Sequence, residues 1–188
     1  MFVENEELKN YIELCREKLN PELKLLYEVS FLKIYVKFEK YLANIFEMYC
    51  VGQASSLGYC PQRKLAFTDV EHLRAVLRGE SNKSYIEYIK KIQSLSKHIF
   101  IDDPFSIIFQ IAENQSMFNN MIALRNYIAH ESNESKKKYM QTCLNSKDFI
   151  EPGDYLLKVK KGSMKTFYSL YIEKIIEISD LILNPVQV

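Results

Sequence analysis

The apolar residues of this chain recur every three or four positions over most of its length, which is the spacing that places them on one face of an α-helix. The longest such pattern covers residues 22–50, and a shorter one covers residues 4–18 and stops before Pro21. Five Gly and five Pro interrupt the chain, and these residues most often mark helix ends and turns. The pattern predicts an all-α fold, an up-and-down helical bundle with short additional helices and long connecting loops.

Polar and turn-forming residues divide the rest of the chain into shorter helices. Thr68 begins a capping-box sequence that ends with Glu71, and Ser132 or Asn133 can cap a helix that follows residue 130. Residues 51–64 and 145–161 are predicted to be connections, the second with a short extended piece. Helical patterns are predicted over residues 68–79, 84–98, 117–130 and 163–183.

Size and composition indicate one soluble globular domain over residues 1–188. With 47% hydrophobic and 26% charged residues, the chain is long enough to bury a substantial core. The formal net charge is +1, so any contact with nucleic acid requires a local basic patch. No apolar run approaches the roughly 18 residues that span a bilayer, and the acidic N-terminal segment lacks the apolar core of a signal peptide. A cytoplasmic protein without membrane contact is expected.

The cysteine and histidine positions predict neither a metal site nor a cofactor. His72 and His98 stand outside any metal-binding spacing, and we interpret them as ordinary surface or boundary histidines. The four cysteines are expected to be reduced, mostly buried thiols. No Cys-x-x-Cys pair occurs among Cys15, Cys50, Cys60 and Cys143.

Residues 117–130, MFNNMIALRNYIAH, place polar side chains at the end of an amphipathic helix. At about 100° per residue, Arg125 lies within the apolar arc, about 40° from Met121. Asn126 and His130 lie roughly 140° and 180° from that residue and are neighbours on one edge. An arginine keeps its charge, so this position requires a carboxylate, a phosphate or a solvated cleft beside it. The three groups suit phosphate chemistry, although Arg and His at a helix end can also simply satisfy terminal carbonyls.

Glu39 is the corresponding charged residue within an apolar face of the longest helix. A carboxylate at this position is unfavourable unless it is paired. One hypothesis is that Glu39 pairs with Arg125 and orients the guanidinium; the alternative is that Glu39 borders a solvated groove. The same helix has a second apolar side, which predicts that the helix is central or lies at a subunit interface. Glu39 lies within about 20° of the centre of the stripe Leu25, Leu32, Val36, Ala43, Phe46 and Cys50.

Residues 125–130, R-N-Y-I-A-H, resemble the R-x4-6-H signature of the HEPN superfamily (higher eukaryotes and prokaryotes nucleotide-binding), including its polar residue directly after the arginine. Residues 38–49, FEKYLANIFEMY, resemble the long early helix of the HEPN branch related to ribonuclease LS-like and MAE-type toxins. The resemblance covers the general plan of most of the chain, and these two segments carry its identifiable residues. It implies a HEPN-like helical domain with a toxin or phage-defence role and an antitoxin or defence-system protein as partner.

The resemblance further implies a metal-independent endoribonuclease that acts as a homodimer, with the motifs of both subunits forming one cleft at the two-fold axis. The 2′-hydroxyl of the RNA would attack the adjacent phosphate and leave a 2′,3′-cyclic phosphate and a 5′-hydroxyl. His130 would transfer protons near neutral pH, Arg125 would hold the phosphate and stabilise its added charge, and Asn126 would orient the imidazole or bind a phosphate oxygen. One imidazole per subunit is a physical reason for the dimer, because such cleavage works best with both an acid and a base.

Lys136, Lys137 and Lys138 form the most basic point of the segment that follows His130. A lysine run usually forms only a solvated face. The short distance along the chain from His130 nevertheless makes contact with RNA phosphates a specific hypothesis for these side chains.

Two other classes of function remain open at this point. A HEPN-like bundle can be a non-catalytic module that binds a nucleotide or a protein. The chain can also be a structural helical subunit that recruits a partner through its aromatic faces, with 13 Tyr and 11 Phe available. Because the same residues would serve an enzyme and a binding module, the sequence does not separate them. The intact Arg-Asn-His set favours the nuclease.

Overall fold

The computed structural model describes residues 6–18, 24–79 and 85–185, with side chains in the first range described up to residue 14. Over these ranges the chain forms α-helices and no β-strand, so the predicted all-α class is confirmed. The predicted helix starts at residues 4, 22 and 84 and the side chain of Cys15 lie outside this description. The helices are α1 (Glu6–Lys18), α2 (Lys24–Cys50), α3 (Val70–Arg78), α4 (Tyr88–Ile99), α5 (Ser106–Phe109), α6 (Ala112–His130), α7 (Asn133–Cys143), α8 (Pro152–Leu157) and α9 (Phe167–Leu183).

The long helix α2 is central to the bundle, as its two apolar sides predicted. It contacts α1, α3, α4, α6, α8 and α9. Phe118 of α6 packs against the rings of Tyr35 and Phe38, and the Tyr41 hydroxyl donates a hydrogen bond of 2.9 Å to the carbonyl oxygen of Ser179 in α9. The buried face of α2 includes Phe31, Ile34, Tyr35, Phe38, Tyr41, Leu42, Ile45 and Phe46.

The other apolar stripe of α2 is buried only toward the C-terminal end of the helix. Phe46 and Cys50 are inaccessible to solvent, whereas Leu25 is 70% exposed and Val36 is 45% exposed. The larger aromatic face is the one that contacts the core, because its rings remove more apolar area from water. The N-terminal half of this stripe is therefore accessible, and Glu39 lies where the stripe becomes accessible.

The helix ends follow the sequence signals with one correction. Ser132 caps α7 by accepting a hydrogen bond from the backbone nitrogen of Ser135, as predicted. The cap of α3 is Asp69, not Thr68, because the Asp69 carboxylate accepts a 2.8 Å hydrogen bond from the backbone nitrogen of His72. No helix in the described part of the chain is both long and apolar enough to cross a membrane.

The short helix α8 lies in a segment that was predicted to be a connection. It is only six residues long, which is too short for a helical period to stand out in the sequence. Contact with α2 holds it: the backbone nitrogen of Gly153 donates a 2.7 Å hydrogen bond to the Glu28 carboxylate. A Cβ atom at Gly153 would lie 2.7 Å from the Cβ of Lys24, so glycine permits this approach. The predicted extended piece is present as an isolated bridge between Val159 and Thr166.

Candidate functional site

A pocket of about 850 Å³ lies between α2, α4 and α6, with α3 at one side. Residues 36–47 of α2 form one wall, and the segment that leads into α4 forms the opposite wall together with the first turns of α4. Its charged and polar groups come from helices that are far apart in the sequence. They include Glu39 and Glu47 from α2, Arg74 from α3, and Arg125 and Asn126 from α6.

The Arg125 guanidinium is held at the edge of this pocket by two contacts. Its Nη2 lies 3.5 Å from Oε2 of Glu39, and its Nη1 donates a 2.9 Å hydrogen bond to Oδ1 of Asn126. The predicted contact between Glu39 and Arg125 is therefore present. The alternative is also correct in part, because Glu39 borders the pocket and its side chain keeps 31% exposure, against 27% for Arg125.

Some polar groups around Arg125 are buried without enough hydrogen-bond or charge partners. Burial raises the pKa of the Glu39 carboxyl, and the charge of Arg125 opposes this shift. Burial, and after it the charge of Glu39, raise the pKa of Tyr35 well above its ordinary value, so this phenol stays protonated. Within the described residues, the Tyr35 hydroxyl and Nε of Arg125 are buried without a hydrogen-bond partner. The arginine is thus fixed in place but not saturated by protein acceptors.

The ion pair between Glu39 and Arg125 is expected to couple the two residues energetically. A double-mutant cycle with Glu39→Ala and Arg125→Ala should give a coupling free energy of about 1 kcal/mol, because the pair is partly shielded from water but not closely paired. The measurement is urea unfolding of the wild type, both single variants and the double variant. The matched control is a cycle on the more exposed pair Lys165 and Glu173, and a coupling no larger than that control would contradict the expectation.

A second cluster of charges in the same pocket was missed in the sequence. Glu47 is 7% exposed, and its carboxylate accepts hydrogen bonds from Nε and Nη2 of Arg74 at 2.7 Å and 2.9 Å. The Tyr88 hydroxyl donates to the same carboxylate. Burial, and then this hydrogen bond, raise the pKa of Tyr88 to about 12. Glu47 lies about 80° from Glu39 around α2, at the border between the apolar stripe and the polar side of the helix, so the criterion that identified Glu39 does not select it.

His130 lies apart from the pocket. It is the last residue of α6 and is exposed, and Glu131 ends the helix with a left-handed backbone at φ 47°. His130 follows Asn126 by one helical turn on the same edge of α6, and only Asn126 belongs to the pocket lining. Of the predicted catalytic set, the structure therefore brings Arg125 and Asn126 together with Glu39 and leaves His130 beyond the pocket, at the C-terminal end of α6.

The lysine run also lies outside the pocket lining. The Nζ of Lys136 lies 4.0 Å from the centroid of the Phe149 ring, which is the geometry of a cation–π contact. Lys137 and Lys138 are exposed on α7. These two side chains are accessible to a phosphate, whereas Lys136 also packs on the protein surface.

Among the described residues, no three His, Cys, Asp or Glu side chains converge in a way that could hold a metal ion. Cys50 and Cys143 are buried free thiols, as predicted, and Cys60 is exposed. Burial raises the pKa of Cys143 to about 12, which keeps this thiol protonated.

No family model, no curated protein and no solved structure matches the chain. The resemblance of residues 125–130 to the HEPN signature stays a prediction.

Proposed function

We propose that this protein is a metal-independent endoribonuclease of HEPN type, which cleaves RNA through attack of the 2′-hydroxyl on the adjacent phosphate. The observation that carries the proposal is the state of Arg125. Its guanidinium is held by Glu39 and Asn126 at the edge of a pocket. The terminal nitrogens Nη1 and Nη2 each make one contact and carry a second N–H group, and the side chain keeps 27% exposure. A positioned guanidinium with donors to spare suits a phosphate and the added charge of its pentavalent transition state.

His130 would supply the proton transfer that this cleavage requires. Its position at the exposed end of α6 leaves the imidazole accessible to RNA and to a second subunit. Because His130 lies one turn beyond Asn126 and outside the pocket lining, we propose that a homodimer completes the site, with the histidine of one subunit facing a phosphate held by the arginine of the other.

The surface beside the pocket supports a dimer of this kind. Leu25, Val29 and Val36 are exposed and lie within about 40° of one another on α2. Val36 also lines the pocket. A second copy placed on this strip would cover apolar area next to the pocket. In this proposal Lys137 and Lys138 bind RNA phosphates outside the cleft, with Lys136 contributing its charge.

The proposed setting is that of a cytoplasmic toxin or phage-defence nuclease, controlled by an antitoxin or another defence-system protein. One observation favours the alternative, a non-catalytic module that binds a nucleotide or protein: His130 is absent from the pocket lining. A binding module would use Arg125 and Asn126 without a proton-transfer group.

The proposal is tested by incubating the purified protein with a mixed RNA pool in excess EDTA and analysing the new ends. Cleavage that leaves 2′,3′-cyclic phosphates and 5′-hydroxyls is expected. A single 2′-deoxynucleotide at a mapped cleavage position should protect that position, because the attacking hydroxyl is then missing. Absence of cleavage by a folded dimer across varied RNAs would favour the binding module. Cleavage that EDTA abolishes would contradict the metal-independent mechanism.

A further inference from the structure

The part of the pocket beyond Arg125 is lined by uncharged side chains. It combines two aromatic rings, aliphatic side chains and two amides, and it includes none of the residues proposed for catalysis. These side chains come from the C-terminal half of α2, from the segment that leads into α4 and from the first turns of α4. They are Asn44, Tyr85, Ile86, Tyr88, Ile89 and Gln93.

The charges of the whole pocket lining nearly cancel. Its cations are Lys40, Arg74, Lys90 and Arg125, and its anions are Glu39, Glu47 and Glu87. Three of these cations have a carboxylate partner in the same lining. A polyphosphate would therefore meet little uncompensated positive charge, and a second phosphate site inside the pocket is disfavoured. An uncharged group with polar edges and flat faces matches the lining better.

We propose that this part of the pocket takes a nucleobase of the RNA, next to the phosphate that Arg125 holds, and so gives the cleavage a base preference. Aromatic side chains provide faces for a base, and the amides of Asn44 and Gln93 provide donors and acceptors for its edge. A volume of about 850 Å³ is large enough for a base with its ribose. The position of the phosphate rests on the proposed function, whereas binding of the base is measurable without cleavage.

The binding test uses NMR of the full chain with labelled isoleucine methyl groups. Ile86, Ile89 and Ile122 line the pocket, and Ile178 and Ile182 are buried in α9 as internal controls. The probes are the four nucleoside 5′-monophosphates, with ribose 5-phosphate as the ligand that lacks a base. At least one nucleotide should shift the pocket methyls and bind about tenfold more tightly than ribose 5-phosphate, the order expected for stacking one base.

The functional test maps cleavage in a randomised RNA with Gln93→Ala and Asn44→Ala. Either variant is expected to lower the ratio between preferred and disfavoured bases roughly two- to tenfold, the effect of one lost hydrogen bond. Gln141→Ala, an exposed position on α7, is the control and should keep the wild-type ratio. Thermal unfolding checks that all variants are folded.

The outcomes separate this inference from the nuclease proposal. Base-dependent methyl shifts without RNA cleavage would support the nucleobase pocket and contradict the nuclease. Cleavage without methyl shifts beyond those of ribose 5-phosphate, or with an unchanged base ratio in both variants, would overturn the nucleobase pocket and leave the nuclease in place.

Discussion

His130→Ala is expected to lower RNA cleavage roughly 10²–10⁴-fold, which is the usual contribution of a general acid or base, while the protein stays folded. The imidazole is exposed at the end of α6, and it makes no hydrogen bond within the described ranges. Its removal should therefore cost little stability. The measurement is the single-turnover cleavage rate in EDTA, together with thermal unfolding of the same samples.

The matched control is His98→Ala, because His98 is an exposed histidine in the last turn of another helix, α4. It should cleave at the wild-type rate. If both variants cleave at the wild-type rate, His130 is not part of the mechanism. If both lose most of the cleavage rate, the effect is not specific to the site.

The same histidine provides a test of the proposed dimer, in which each arginine faces the histidine of the other subunit and two sites form. Mixing His130→Ala with Arg125→Ala subunits should restore activity to roughly a quarter of the wild-type level, because half of the dimers are then mixed and each carries one intact arginine–histidine pair out of two. A site contained within one subunit would show no recovery. The mixture is compared with each variant alone after the subunits have been allowed to exchange.

Arg74→Ala is expected to destabilise the fold by about 3 kcal/mol, near the lower end of the range for breaking a buried ion pair. The substitution leaves the buried carboxylate of Glu47 with only the Tyr88 hydroxyl as a close partner among the contacts described above. Glu47→Ala should cost less, because Arg74 keeps 38% of its side chain exposed and also contacts Glu71. Water can therefore solvate the arginine more readily than the carboxylate.

Urea unfolding of both variants measures this difference. Arg78→Ala is the matched control, since Arg78 is an exposed arginine in the last turn of the same helix, α3, and its loss should leave the free energy of unfolding nearly unchanged. The expectation fails if Arg74→Ala is no less stable than Arg78→Ala, or if Glu47→Ala is the more damaging change.

The two charge pairs of the pocket show how far sequence reasoning extends. Glu39 and Arg125 were each identified because a charge interrupts an apolar stripe, and the hypothesis that they meet agrees with the distance of 3.5 Å. Glu47 does not meet this criterion, because it lies about 80° from Glu39 around α2, at the border of the stripe. Its partner Arg74 does not meet it either, because Arg74 lies on the short helix α3 among other polar residues, and the sequence does not distinguish it from them.

The sequence by itself determined the helical class and most helix positions, because helix hydrogen bonds and caps join residues a few positions apart. It also placed Arg125, Asn126 and His130 at the end of one helix. Only the tertiary structure decided which side of α2 is buried, where α8 packs against α2 through Gly153, and that the pocket beside Arg125 does not include His130. These features depend on contacts between helices that are distant in the chain, and a periodic pattern shows that a face is apolar without showing which neighbour covers it.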